Sequence, residues 1–172
     1  MITFKEQNYL EIFNNYHFFY YGYLSNWAFT PFIDTRTCIP YNCSEQYMMQ
    51  QKALLFNDFE SAQTIMRQKH PRQQKELGRT LKNFDLQVWR THARQIVYEG
   101  CFYKFTQDKN AFEYLMNTVD HYLVEASPTD TVWGIGMAEG AVGIQDPKNW
   151  RGTNWLGQVL TCLREDLIKI PN

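Results

Sequence analysis

The sequence predicts an α+β fold, a single mainly helical domain with a small sheet or hairpin from the N-terminal region and one late strand. Three observations carry this. The stretch up to Tyr41 is rich in aromatic and β-branched residues. From Asn42 to Thr118, apolar residues recur at helical spacing behind polar caps. One further apolar run, Tyr122–Ala126, stands alone near the end. Helices that outnumber strands and are segregated from them place the chain among α+β architectures. The 172 residues suit one domain, taken as residues 1–172 with its core at about 18–168.

Each element follows from local chemistry. His17-Phe18-Phe19-Tyr20 reads as a strand and Tyr21 to Asn26 as a loop. Phe29–Ile33 and Thr37–Tyr41 read as a hairpin with Asp34 in its turn. Asn42-Cys43-Ser44-Glu45 opens a helix that runs to about Phe56, with a polar cap and an early acid. Asp58 caps a second helix. Pro71 fits the first turn of a third, which stops at Gly78. Asp85 caps the longest, Leu86 to about Phe105, with Trp89, Ala93, Ile96, Val97 and Cys101 on one face. Asp108 starts another, to about Thr118. A long loop from Ser127 to Gly152 leads to a closing helix, Trp155 to Ile168, with Leu156, Val159, Leu160, Leu163 and Leu167 on one side.

Composition excludes several classes. Seventeen basic and eighteen acidic side chains give a formal charge of −1, against a globally basic nucleic-acid binder or an acidic tail protein. No apolar run approaches the ~18 residues of a membrane span. The start, Met1 to Glu6, lacks the pattern of a signal peptide. Cys38, Cys43, Cys101 and Cys162 are sparse and read as free thiols in a reducing, cytoplasmic compartment. The four histidines are scattered and no zinc-site spacing occurs, so neither metal nor cofactor is expected.

Five segments bear candidate chemistry, each beside a plainer reading. The loop Ser127–Gly152 is long for a compact domain, and its Asp130 and Trp133 set a carboxylate near an aromatic plate, as a planar polar base requires. The plainer reading is a glycine-rich surface loop; its glycines do not match the dinucleotide fingerprint. Asn149 to Gly157 leads into the last helix, whose free N–H groups suit an anion, with Thr153 or Asn154 as a simple cap instead. Glu45 and Lys52, seven residues apart, share one helical face, so a carboxylate and an amine can share proton work; a surface pair is the commoner outcome. Yet Met48, Met49, Ala53 and Leu55 predict that this helix is buried, and a buried charge needs a partner or a role. Arg72, Lys75, Arg79 and Lys82 make a basic helical side that suits phosphate or nucleic acid, or merely solvent. Lys104, between Tyr103 and Phe105, is a snorkelling lysine or an amine with a lowered pKa.

In order along the chain, several pieces resemble the NADAR superfamily, which includes the YbiA-like N-glycosidases. They are Tyr23-Leu24-Ser25-Asn26-Trp27, then Tyr41 through Ala53 with Glu45, Gln46, Tyr47 and Lys52. Leu77-Gly78-Arg79, Trp89 and Lys104-Phe105 follow. The last two are Leu123 through Gly136, with Glu125, Asp130, Trp133 and Gly134, and Trp150 through Gly157, with Asn154. Trp27 replaces the usual Phe, Trp155 a frequent aliphatic residue, and Met137–Lys148 is longer than in the shortest members.

The resemblance implies a YbiA-like fold and hydrolysis of the C1–N bond between a phosphorylated ribose and a guanine-like base. The preferred substrate is ADP-ribose on guanine in DNA or RNA. A ribosylamino-pyrimidinone phosphate intermediate of riboflavin synthesis is the alternative, and a non-catalytic ADP-ribose reader the third reading. Two routes suit such a bond. In one, a carboxylate stabilises a cation at C1 and activates water, with Glu45 first and Asp130 second. In the other, a lysine amine, Lys52 ahead of Lys104, displaces the base through a Schiff base. Asn26, Arg79 and Asn154 are expected to hold ribose hydroxyls and phosphate. Trp89, Trp133 and Tyr47 are candidates to stack on the base, with Ser25, Glu125 and Gly134 also at the substrate.

Overall fold

The computed structural model describes residues 3–170. Met1 and Ile2, where the reading of the N-terminus begins, lie outside them. Among the described residues the elements run α1 (Tyr9–Ile12), β1 (Tyr16–Phe19), β2 (Phe32–Asp34), β3 (Ile39–Tyr41), α2 (Ser44–Leu55), α3 (Phe59–Arg67) and α4 (Pro71–Gly78). Then come α5 (Leu86–Gln107), α6 (Lys109–Met116), β4 (Tyr122–Glu125), a 3₁₀ turn (Pro147–Asn149) and α7 (Trp155–Lys169). The α+β, mainly helical expectation holds. No helix among the described residues is long and apolar enough to cross a membrane. All four cysteines are free thiols, with Cys38 exposed and the rest buried.

The chain divides into two compact units, Asn26–Ala111 and the remainder. In the first, β2 and β3 pair antiparallel, Phe32 opposite Tyr41 and Asp34 opposite Ile39. The Asp34 carbonyl accepts the Cys38 N–H at 2.8 Å, closing the turn, and Cys38 takes φ 58° to do so. The turn therefore lies just beyond Asp34 and the strands are shorter than the expected hairpin. Burial pushes the Asp34 carboxyl up, but hydrogen bonds from Arg36 outweigh it and hold the group below the usual range.

Helix α2 is the axis of this unit and packs against α3, α4, α5 and β3. Most of its residues are buried, polar ones included. A buried polar group is tolerated when its hydrogen bonds are made. Gln46 accepts the Asn42 N–H at 2.9 Å and donates to the Gln68 carbonyl at 3.2 Å. Gln50 accepts the Tyr41 hydroxyl at 2.7 Å. Close approach is bought with glycine: a Cβ on Gly100 would lie 2.7 Å from the Tyr47 ring. The surrounding helices begin as expected. Asp58 accepts the Ser61 N–H at 3.1 Å, and Asp85 accepts those of Gln87 and Val88 at 2.8 and 2.9 Å.

In the second unit, β1 pairs parallel with β4, Tyr16 opposite Tyr122 and Phe19 opposite Glu125. Helix α7 lies on β4. Asn154, at φ 53°, clips the two together: its side-chain N–H donates to the Leu123 carbonyl and its side-chain oxygen accepts the Glu125 N–H, each at 2.9 Å. Gly157 then sits so near β4 that a Cβ would fall 2.0 Å from the Leu123 oxygen.

Adding that methyl forces the helix off the strand. Gly157→Ala is expected to cost about 3 kcal/mol by overpacking. Val142→Ala, at a fully exposed site, should change stability by less than about 0.5 kcal/mol. Urea unfolding of both variants checks this; equal losses would contradict the close contact.

Candidate functional site

The unit Asn26–Ala111 gathers Glu45, Lys52, Arg79 and Trp89 around one amine. Lys52 stands in the last turn of α2 with 9% of its surface exposed. Its ammonium donates to the Gly78 carbonyl at 2.7 Å, at the C-terminal end of α4, where the helix dipole favours a cation. Two aromatic rings wall it: Nζ is 4.3 Å from the centre of Phe84 and 5.2 Å from that of Trp89. Burial pushes the Lys52 pKa down, Glu45 holds it up and Arg79 lowers it further, leaving it at about 8. Part of the amine is then neutral, hence nucleophilic, near neutral pH.

Glu45 begins the same helix, with 2% of its surface exposed. Its backbone N–H donates to the Asn26 carbonyl at 2.9 Å, and the Asn26 side-chain oxygen accepts from the Cys101 thiol at 3.7 Å. The first turn of α2 is thus tied to the segment that precedes the hairpin. A carboxylate and an amine are set two turns apart on a buried helix.

The other expected residues make contacts of their own. Lys104 is fully buried; burial lowers its pKa to about 8, against the thiols of Cys101 and Cys43 and the carboxylate of Asp108, which raise it. Tyr47 is also buried, with its ring among Phe32, Tyr41 and Tyr103. Its hydroxyl accepts from Arg36 at 2.9 Å and lies 3.2 Å from a Glu99 carboxylate oxygen, so this ring belongs to the core.

Ser25, Glu125, Asp130, Trp133, Gly134 and Asn154 belong to the other unit. Ser25 is buried and its N–H donates to the Gly22 carbonyl. There Asp130 acts as a turn cap, accepting the N–H groups of Val132 and Trp133 at 3.0 and 2.8 Å. The carbonyls of Val132, Trp133 and Gly134 accept the N–H groups of Trp155, Leu156 and Asn154. The start of α7, expected as an anion seat, therefore has these donors taken up by the loop. The Trp133 ring packs edge-on to Trp155 at 5.7 Å. A cavity of about 180 Å³ in this unit is bordered by Tyr122, Trp150, Thr153 and Asn154. A larger groove of about 410 Å³, between α2 and α3, is bordered by Gln50 and Arg67 but by none of the residues expected to act on or hold the substrate.

The sequence reading missed Phe84 and the Gly78 carbonyl. Phe84 lies outside any periodic pattern. Its one signal is position, a lone aromatic between a helix stop at Gly78 and a cap at Asp85.

The lowered Lys52 pKa has a consequence for stability. Between about pH 8 and 10.5 the unfolded chain holds a proton that the folded one has lost, so this residue makes stability rise with pH in that window. The cost of its buried charge is full below about pH 8 and gone above about 10.5. Relative to the native protein, Lys52→Met should therefore look more stable at pH 7 than at pH 10.5. Urea unfolding at both pH values checks it; a difference independent of pH would contradict the shift.

Comparison with known proteins agrees in sequence and in fold. The sequence model of the NADAR domain matches residues 12–168. The protein irg-1 of Caenorhabditis elegans is 41% identical over 131 residues, 75% of this chain and 62% of that protein, so the chain spans less than two thirds of this relative. An N-glycosidase of Acanthamoeba polyphaga mimivirus is 40% identical over 139 residues, 80% of this chain and 81% of its own. The solution structure of the Escherichia coli protein YbiA superposes with a TM-score of 0.73 at 27% identity, over 91% of this chain and 86% of that one. With a match that spans nearly every element described above, the chain belongs to the NADAR domain family.

Proposed function

We propose that the protein is an N-glycosidase that hydrolyses the C1–N bond between an ADP-ribosyl group and guanine in nucleic acid. An N-glycosyl hydrolase is the coarser part of this reading; it is supported by the NADAR domain match and by the viral relative named N-glycosidase. The observation that carries the mechanism is the Lys52 amine, buried between two rings on the helix that also buries the Glu45 carboxyl two turns away.

In this mechanism the ribose opens so that C1 is an imine carbon toward the base nitrogen. Neutral Lys52 adds to C1. The C1–base bond breaks, the base nitrogen leaves with a proton relayed by Glu45, and C1 remains on Lys52 as a Schiff base. Water adds to that carbon, the C1–lysine bond breaks, and sugar and amine are released. Lys52 is preferred over Lys104 because a sugar carbon must reach the nitrogen, and Lys104 is fully enclosed. Trp89 offers an indole wall for the base.

The preference for nucleic acid rests on α4. Arg72 is exposed and Lys75 half-buried on this helix, whose last carbonyl holds Lys52; Arg79 is exposed just past its end, and Lys82, expected on the same side, lies beyond the helix and pairs with Glu60. Phosphates alongside the scissile nucleotide suit that face.

Two experiments test the reading. Glu45→Gln should lower turnover by about 10²–10⁴-fold with the fold intact by circular dichroism; a loss under tenfold removes Glu45 from the proton relay. Borohydride added during turnover of ADP-ribosylated guanine DNA should fix sugar on Lys52, and Lys52→Met should abolish both adduct and turnover. Turnover retained in Lys52→Met would discard the amine route. Turnover of only a ribosylamino-pyrimidinone phosphate would discard the nucleic-acid substrate.

A further inference from the structure

The geometry points to Phe84 as the positioning residue of Lys52, the outer wall that keeps water from the amine and must swing aside for a sugar carbon to reach it. The inference rests on the reading of Lys52 as the nucleophile and adds a residue that neither the sequence motifs nor the helix periodicity marks.

The two aromatic walls of the amine differ in kind. Trp89 is fixed in the first turn of α5 and only 9% exposed. Phe84 is nearer the nitrogen, at 4.3 Å against 5.2 Å, yet 43% of its surface is exposed. Its ring packs edge-on to Phe56 at 5.2 Å. One wall is thus rigid and the other half free.

The backbone that carries Phe84 is pinned on both sides. Before it, the Lys82 N–H donates to Asp58 at 2.9 Å, through the carboxylate oxygen that does not cap α3. Asn83 adopts φ 56°, a left-handed conformation that turns the chain. After it, Asp85 caps α5. An anchored backbone with a half-exposed side chain lets the ring rotate about its own bonds while the loop stays in place. The Lys82–Glu60 ion pair at 2.9 Å is exposed on both sides and contributes little to this anchoring.

Ring position bears on the amine in two opposing ways. A face-on ring attracts the ammonium, which favours the charged form. The same ring excludes water, which disfavours it. Glu45 on α2 favours the charged form, Arg79 at the end of α4 disfavours it, and α5 contributes the uncharged Trp89. Burial is the largest of these influences. Removing the ring therefore raises the lysine's proton affinity and opens its approach together.

The test reads the amine without turnover. Trace acetic anhydride is applied between pH 6 and 11, and acetylation of Lys52 is followed by peptide mass spectrometry against exposed Lys148. In the native protein the midpoint should fall near 8. In Phe84→Ala it should rise by about one pH unit, a roughly tenfold smaller neutral fraction near neutrality, while the limiting rate at high pH rises severalfold. Phe84→Leu, which keeps an apolar cover, should restore the midpoint. Asp58→Asn keeps one acceptor oxygen and loses the other; it should shift the midpoint the same way by less, and it serves if the alanine variant does not fold. An unchanged midpoint and limiting rate in the folded variants overturns the role of Phe84. Failure of the nucleophile reading shows separately, as turnover that survives Lys52→Met while the labelling differences persist.

Discussion

The hydrogen bond from the Lys52 ammonium to the Gly78 carbonyl is the constraint on which the candidate site depends. It joins the last turn of α2 to the last turn of α4 and fixes a cation where water is scarce. The site is otherwise a set of consequences. Arg79 follows Gly78 directly and acts on the same amine, Trp89 and Phe84 close over it, and Glu45 answers from the other end of α2. A lysine at this point of an exposed helix would have an ordinary pKa. Here its surroundings disfavour the charge without removing the partner that holds its geometry.

The rest of the unit keeps α2 inside. A helix with buried Gln and Lys needs a destination for their polar heads: backbone carbonyls of neighbouring segments take those of Gln46 and Lys52, and the Tyr41 hydroxyl donates to Gln50. Gly100 lets α5 approach the helix axis closely enough for Trp89, three turns earlier on α5, to reach the amine. The other unit solves a separate problem. Its strand β4 runs parallel to β1, and the side chain of Asn154 joins that strand to α7. The loop between β4 and α7 is ordered by its own backbone, whose carbonyls cap the helix it leads into.

Much of this was legible in the sequence where chemistry is local. Asp58, Pro71 and Asp85 mark helix starts by the bonds they make or lack within a few residues, and α3, α4 and α5 begin there. The spacing of Glu45 and Lys52 placed them on one face, and the apolar neighbours predicted burial. What was not legible depends on contacts distant in sequence. The parallel pairing of β1 with β4 joins Tyr16 to Tyr122, and no local pattern encodes it. The four-residue α1 is too short to show a period. Phe84 lies on a turn, so its place over Lys52 follows only from how α4, α5 and Asp58 pack. Tyr47 shares α2 with Lys52, but its ring joins the aromatic core instead.

The central claim is that Lys52 is a nucleophilic amine because its surroundings disfavour its charge. The most direct measurement is an NMR titration of the Lys52 side chain, with Lys52→Arg used to assign the signal. The account predicts a midpoint near 8. A midpoint at the ordinary lysine value of about 10.4 would contradict it.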